Sequence, residues 1–119
     1  MADHRTLKAW TEARTVVLGV LRVSQDSWKP WAGAIFAQLQ RASLSVQLNV
    51  AEGWSFGSSP NCARHLGIAY GSAVETADLI ELMIEAQLLP GEIGKDLREH
   101  SIQSQRLLVG LLKKRRPLS

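Results

Sequence analysis

The sequence predicts an all-α protein, an up-down-up-down antiparallel bundle of four helices. Three observations carry that expectation. Apolar residues recur at steps of three and four through most of the 119 residues. Alternating β-branched residues and Asn-Gly or Asp-Gly turns are missing. Breaks at Gln25-Asp26-Ser27, at Gly53 to Ser59 and at Pro90-Gly91 divide the chain into segments joined by short connections. Short connections make consecutive helices antiparallel neighbours. A single domain is expected, with helices over about 5–24, 30–54, 60–89 and 92–115.

In the first segment Leu7, Trp10, Val17, Leu18 and Leu21 share one side at about 100° per residue. The second opens near Pro30, which is tolerated in a first helical turn because its missing N–H would have no partner there. Its main face holds Ile35, Leu39, Ala42, Val46 and Val50. A second apolar strip, Ala37, Leu44, Leu48 and Ala51, lies roughly opposite, and only Arg41 and Glu52 are charged between Trp31 and Trp54. A helix so poor in charge is expected to be covered on more than one side.

Ser59 before Pro60 reads as an N-cap followed by proline at the first helical position. The third segment then presents Leu66, Ala69, Tyr70, Ala73, Ala77, Ile80, Ile84 and Leu88 to the core. Ile68, Leu79, Leu82, Met83 and Ala86 flank that face, and Glu75, Asp78, Glu81 and Glu85 form an acidic side. In the fourth segment Ile93, Leu97, Leu108, Leu111 and Leu112 share a face with Ser101 and Ser104, which allow close helix approach.

Composition narrows the function classes. With 45% hydrophobic and 21% charged residues and no apolar run near the ~20 needed to span a bilayer, a soluble, cytoplasmic protein without membrane contact is expected. Cys62 stands alone, so neither an internal disulfide nor a cysteine-built zinc cluster can form. The net charge of +3 is unevenly spread: +2 over residues 1–58, −3 over 59–90 and +4 over 91–119.

Gly53-Trp54-Ser55-Phe56-Gly57 matches the G-x-S-x-G string of hydrolase nucleophile elbows, but that device needs a strand before the serine. A helix precedes it here, so Ser55 is read as a loop residue. His4, His65 and His100 make no H-E-x-x-H pattern, and Cys62 with His65 is a lone pair without further ligands. No catalytic site, metal, cofactor or small-molecule substrate is expected.

Arg41, Asn49 and Glu52 stand on an otherwise apolar helix, and polar groups among packed helices must find hydrogen-bond partners. Ser72 and Glu75 on the third helix are candidate partners. With Leu44 and Leu48, these residues form a candidate structural network or interface. The basic residues Lys95, Arg98 and Arg106, with the run Lys113-Lys114-Arg115-Arg116, are the candidate nucleic-acid contacts, since clustered cations gain affinity by releasing phosphate counterions. Trp10, Trp28, Trp31 and Trp54 are read as core or subunit-contact residues.

The run Gln38-Leu39-Gln40-Arg41-Ala42-Ser43-Leu44-Ser45-Val46-Gln47-Leu48-Asn49-Val50-Ala51-Glu52-Gly53 resembles the Q-L-R-R-A-x-x-S-I-x-x-N-I-A-E-G signature of a four-helix bundle family. That family includes proteins encoded by intervening sequences of 23S ribosomal RNA genes. His65 to Glu75 is similar to its F-L-x-I-A-x-G-S-x-x-E motif, and Leu7, Trp10 and Ala13 fit its L-x-x-W-x-x-A opening. The resemblance covers about Leu7 to Lys113. It implies a homopentameric barrel of bundles without known enzymatic activity. The family also contains the accessory variability determinant of diversity-generating retroelements, a basic pentamer that associates with a reverse transcriptase and with nucleic acid.

Two departures bear on that implication: Gln40 replaces one of the paired arginines, and Trp54 to Pro60 lacks a basic residue often found in relatives. The resulting expectation is a non-enzymatic oligomeric adaptor that presents basic surface to RNA or DNA, with a retroelement reverse transcriptase as a candidate partner. The competing expectation is a purely structural or protein-binding pentamer.

Overall fold

A computed structural model describes residues 3–115 and contains four α-helices and no strand among them. They are α1 (Lys8–Ser27), α2 (Gly33–Ser55), α3 (Pro60–Glu85) and α4 (Gly91–Arg115), with single 3-10 turns at His4–Thr6 and Pro30–Ala32. The molecule measures 46 × 22 × 21 Å. Pairings between helices run in opposite directions. Gln38 meets Glu75 and Asn49 meets His65 across α2 and α3; Ser101 meets Ala73 and Arg98 meets Glu81 across α3 and α4. Glu12 and His100 join α1 to α4, closing the square. The helices therefore alternate up and down.

Helix ends and caps differ in part from the expected ones, α1 and α2 each beginning three residues later, after a 3-10 turn. Polar residues Gln25, Asp26 and Ser27 continue α1 for another turn, because Val23 and Ser24 are buried and hold that turn on the core. α3 ends at Glu85 rather than near Leu89. Gln87 adopts a left-handed backbone (φ 60°), and the reversal sends Leu88 and Leu89 into the core as a plug. Ser59 stands at the N-cap of α3 by backbone geometry, its carbonyl accepting the Cys62 N–H at 3.0 Å, but its hydroxyl makes no hydrogen bond. Proline at the first position supplies the helical φ instead.

The expected face of α1 holds only in part: Val17 is buried and Leu7 and Trp10 pack against the core. Ala9, Ala13, Val16, Val20 and Val23 point inward, whereas Leu18 and Leu21 are half exposed. Small residues let α1 approach closely: a Cβ at Gly19 would stand 2.7 Å from Leu97 Cδ1. On α2, Phe36 joins Leu39, Ala42, Val46 and Val50 in the core while Ile35 is only half-buried. On α4, Ile93 faces outward.

Two apolar clusters fill the bundle. One holds Val20, Phe36, Leu39, Ile80 and Met83; the other holds Val46, Val50, Leu66, Ala69 and Leu108. Each large side chain so buried stabilises the fold by about 1.5–3 kcal/mol. Between the clusters lies a waist of small residues from all four helices, including Ala13, Ser43, Ala73, Thr76, Ser101 and Ser104, too tightly closed to hold a water molecule. Its hydroxyls turn back onto backbone carbonyls: Ser43 to Gln40, Thr76 to Ser72 and Ser101 to Ala73. Ser104 is the exception and makes no bond.

Candidate functional site

The polar residues of α2 do not scatter. A seam forms where α2 lies along α3, and it has two parts. In the first, Arg41 donates to Gln38 Oε1 at 2.9 Å and the Gln38 amide donates to Glu75 Oε2 at 2.5 Å. In the second, the Asn49 amide donates to the Ser45 carbonyl at 2.8 Å and to Ser45 Oγ at 3.1 Å. Ser45 Oγ then lies 2.8 Å from Ser72 Oγ, and Asn49 Oδ1 lies 2.9 Å from His65 Nδ1. Glu52 Oε2 sits 3.9 Å from the same imidazole nitrogen. Arg41, Asn49, Glu52, Ser72 and Glu75 are thus all on this seam, linked through Gln38, Ser45 and His65. The i, i+4 spacing of Ser45 and Asn49 is the sequence signal for the lower half.

Below the seam α2 stops at a tight corner. Gly57 takes the left-handed conformation (φ 67°) that terminates the helix, and its N–H donates to the Trp54 carbonyl at 3.2 Å. Gly53 lets α3 cross closely, since a Cβ there would fall 2.8 Å from His65 Cβ and 3.2 Å from the Cys62 carbonyl. Ser55 is the last residue of α2, and its hydroxyl donates to the Glu52 carbonyl at 2.5 Å. No strand or strained elbow presents it, so the nucleophile reading has no structural support. His65 is engaged elsewhere, bonded to Asn49 and stacked on Phe56 with ring centroids 5.4 Å apart and planes at 14°.

The expected basic set is split by the fold. Lys95 lies in the second turn of α4, about 27 Å along the helix from Lys113. Arg98 is half-buried and ion-paired, with Nε 3.5 Å from Glu81 and NH1 3.9 Å from Glu99. Arg106 is exposed midway. Lys113 and Lys114 are exposed in the last turn, while Arg115 lies over the Trp54 ring at 4.0 Å and donates to the Gly57 carbonyl at 3.4 Å. Arg116 lies outside the described residues.

Antiparallel topology brings other cations to the end where α4 finishes. Arg5 and Lys8 stand at the start of α1 and Arg64 near the start of α3, all exposed. They lie far from the C-terminal run along the chain, so only the fold groups them with it. The carboxylates at this end are few. The Arg5 guanidinium and backbone N–H both donate to the Asp3 carboxylate and hold it well below the usual carboxylate range; Glu52 is near His65. The opposite end carries Asp26, Glu85, Glu92 and Asp96 against Arg22, Lys29 and Lys95. Charge is therefore polarised along the 46 Å axis.

Apolar residues are exposed as well. Leu44 and Leu48 on α2 are 43% and 53% exposed, and Ile68 and Leu82 on α3 are similarly open. No helix among the described residues is long and apolar enough to cross a membrane, and none of their His, Cys, Asp and Glu side chains cluster in threes suited to a metal ion.

No curated protein matches the chain. The crystal structure of a protein of unknown function from the S23 ribosomal protein family of Bacteroides thetaiotaomicron has a similar fold. Its TM-score is 0.64 at 20% sequence identity, over 86% of this chain and 98% of that one. The family model described as 23S rRNA-intervening sequence protein matches residues 5–110, nearly the whole bundle from the first 3-10 turn to the last turns of α4. With the two helix signatures now placed face to face along the α2–α3 seam, the chain belongs to the 23S rRNA-intervening sequence protein family.

Proposed function

We propose that this protein is a non-enzymatic, self-assembling adaptor: further copies cover the outer faces of its middle helices, and its basic end meets nucleic acid. The observation that carries the reading is the half exposure of Leu44 and Leu48 on a helix that has only two charged residues, Arg41 and Glu52, between Trp31 and Trp54. Exposed apolar surface of this kind marks protein contact. A homopentamer is the assembly the family resemblance suggests, and a retroelement reverse transcriptase is the protein partner it suggests.

The absence of a strand-borne nucleophile at Ser55 and the structural engagement of His65 favour a platform over a catalyst. Its test uses the pair Leu44→Glu with Leu48→Glu. On the proposed reading this variant stays helical by circular dichroism but sediments as a smaller species than the parent. An unchanged sedimentation coefficient contradicts it. The nucleic-acid part is tested separately by Lys113→Ala with Lys114→Ala, which lowers affinity and reduces the log-log salt slope by about 0.7–0.9 per lost phosphate contact. Absence of any retention of structured RNA or duplex DNA by the parent protein at low salt leaves the purely structural or protein-binding scaffold.

A further inference from the structure

The corner between α2 and α3 combines features that the adaptor reading alone does not require. Phe56 caps α2 and is 42% exposed, although one side of its ring is stacked nearly parallel on His65. His65 cannot swing freely: Asn49 holds its Nδ1 at 2.9 Å, and the ring is buried. The Phe56 ring is therefore supported from behind by a fixed aromatic surface. Two guanidinium groups engage residues of the corner. Arg64 NH2 lies 3.5 Å from His65 Nε2, and Arg115 is clamped between the Trp54 ring and the Gly57 carbonyl. Among the described residues Glu52 is the acidic side chain placed against His65, and its side chain is 61% exposed.

We propose that Phe56 is a stacking platform for an unpaired nucleotide, with Arg64 and Arg115 placed to meet the adjoining phosphates. This rests on the nucleic-acid part of the reading above and says which form of nucleic acid is preferred. The ring face is sequence-tolerant, because every base has a π-face. A duplex hides its base faces in its own stack, so only a single strand can use the Phe56 ring; a duplex meets the cations alone.

The test measures fluorescence anisotropy of the full chain with a labelled single-stranded oligothymidylate of about twelve nucleotides and with a duplex of the same length, at low salt. The single strand is expected to bind more tightly. Phe56→Leu keeps an apolar side chain but loses the π-face, and weakens single-strand binding roughly tenfold while leaving duplex binding unchanged. Phe56→Trp restores it. Circular dichroism confirms that both variants remain folded. Equal single-strand affinity for Phe56→Leu and the parent, or no preference over duplex, overturns the platform while leaving nucleic-acid binding by charge in place. Failure of the parent to bind either probe overturns both.

Discussion

Asn49 and His65 lock α2 to α3 through one hydrogen bond whose direction the surroundings fix. The Asn49 amide is committed to donating to the Ser45 carbonyl and hydroxyl, so its oxygen faces the imidazole 2.9 Å away and must accept. His65 therefore carries its proton on Nδ1. Ser45 Oγ accepts from Asn49 and shares a second hydrogen bond with Ser72 Oγ at 2.8 Å. Four side chains thus form one connected chain across the seam, and its stability depends on all of them being present.

Asn49→Ala removes the acceptor for His65 and the donor to Ser45 together. Leaving a buried donor unmatched costs more than a net hydrogen bond contributes, so a loss of about 2–3 kcal/mol is expected. Urea unfolding measures it. A double-mutant cycle with Ser72→Ala is expected to show coupling of about 0.5 kcal/mol or more, since the two sites share Ser45. Strict additivity contradicts the connected chain.

Glycine substitutions on neighbouring helices are expected to act in opposite directions. Gly53→Ala places a methyl 2.8 Å from His65 Cβ and 3.2 Å from the Cys62 carbonyl, so the helices must separate. A destabilisation of about 1–3 kcal/mol is expected despite the better helix propensity of alanine. Gly67→Ala on α3 meets nothing within 4 Å and stabilises by up to about 1 kcal/mol. Thermal unfolding of the two variants checks the contrast.

At the waist, two serines on one turn of α4 are expected to respond differently. Ser101 donates to the Ala73 carbonyl at 3.1 Å, and Ser101→Ala loses about 1 kcal/mol. Ser104 is equally buried but has no partner. Ser104→Ala is neutral or stabilising by up to about 1 kcal/mol. Equal losses in denaturant titrations of the two variants contradict this account of the waist.

Cys62 is fully buried at the same corner, and burial pushes its thiol above the ordinary value, opposed by the nearby Arg115 charge. The thiolate is the reactive form, so the native protein is expected to react with an aromatic disulfide reagent slowly at neutral pH and to react at the rate of a free thiol once unfolded. Its contribution to pH dependence follows the raised value. Stability is unaffected below the unfolded thiol range of about 8.5 and falls as pH rises beyond it, because the native state resists ionisation. Rapid native labelling at neutral pH contradicts the burial.

Helix number and most core faces were legible because α2, α3 and α4 use large aliphatic residues at helical spacing. α1 was less so. Its core side is built from Ala9, Ala13, Val16 and Val20, which leave room for close packing, whereas the bulkier Leu18 and Leu21 drew the expected face outward. The end of α3 was hidden because Leu88 continues the helical spacing, although Gln87 reverses the backbone just before it.

The polar seam was partly visible in Arg41, Asn49 and Glu52, which are conspicuous on an apolar helix. Gln38 and Ser45 were not, since short uncharged side chains read as surface. His65 forms part of no ligand or catalytic pattern in the sequence, and its place in the seam comes from Phe56 and Asn49, which lie outside its own helix. The basic end was obscured for a different reason: Arg5, Lys8 and Arg64 join Lys113 and Lys114 only after three chain reversals.

The central claim is that the exposed leucines of α2 are covered by other copies of the chain. Sedimentation equilibrium of the parent protein at micromolar concentration tests it most directly. The account predicts a single species at an integral multiple of the 13.1 kDa chain mass, five being the multiple the family resemblance suggests. A monomer across that concentration range, with Leu44 and Leu48 left in water, contradicts it.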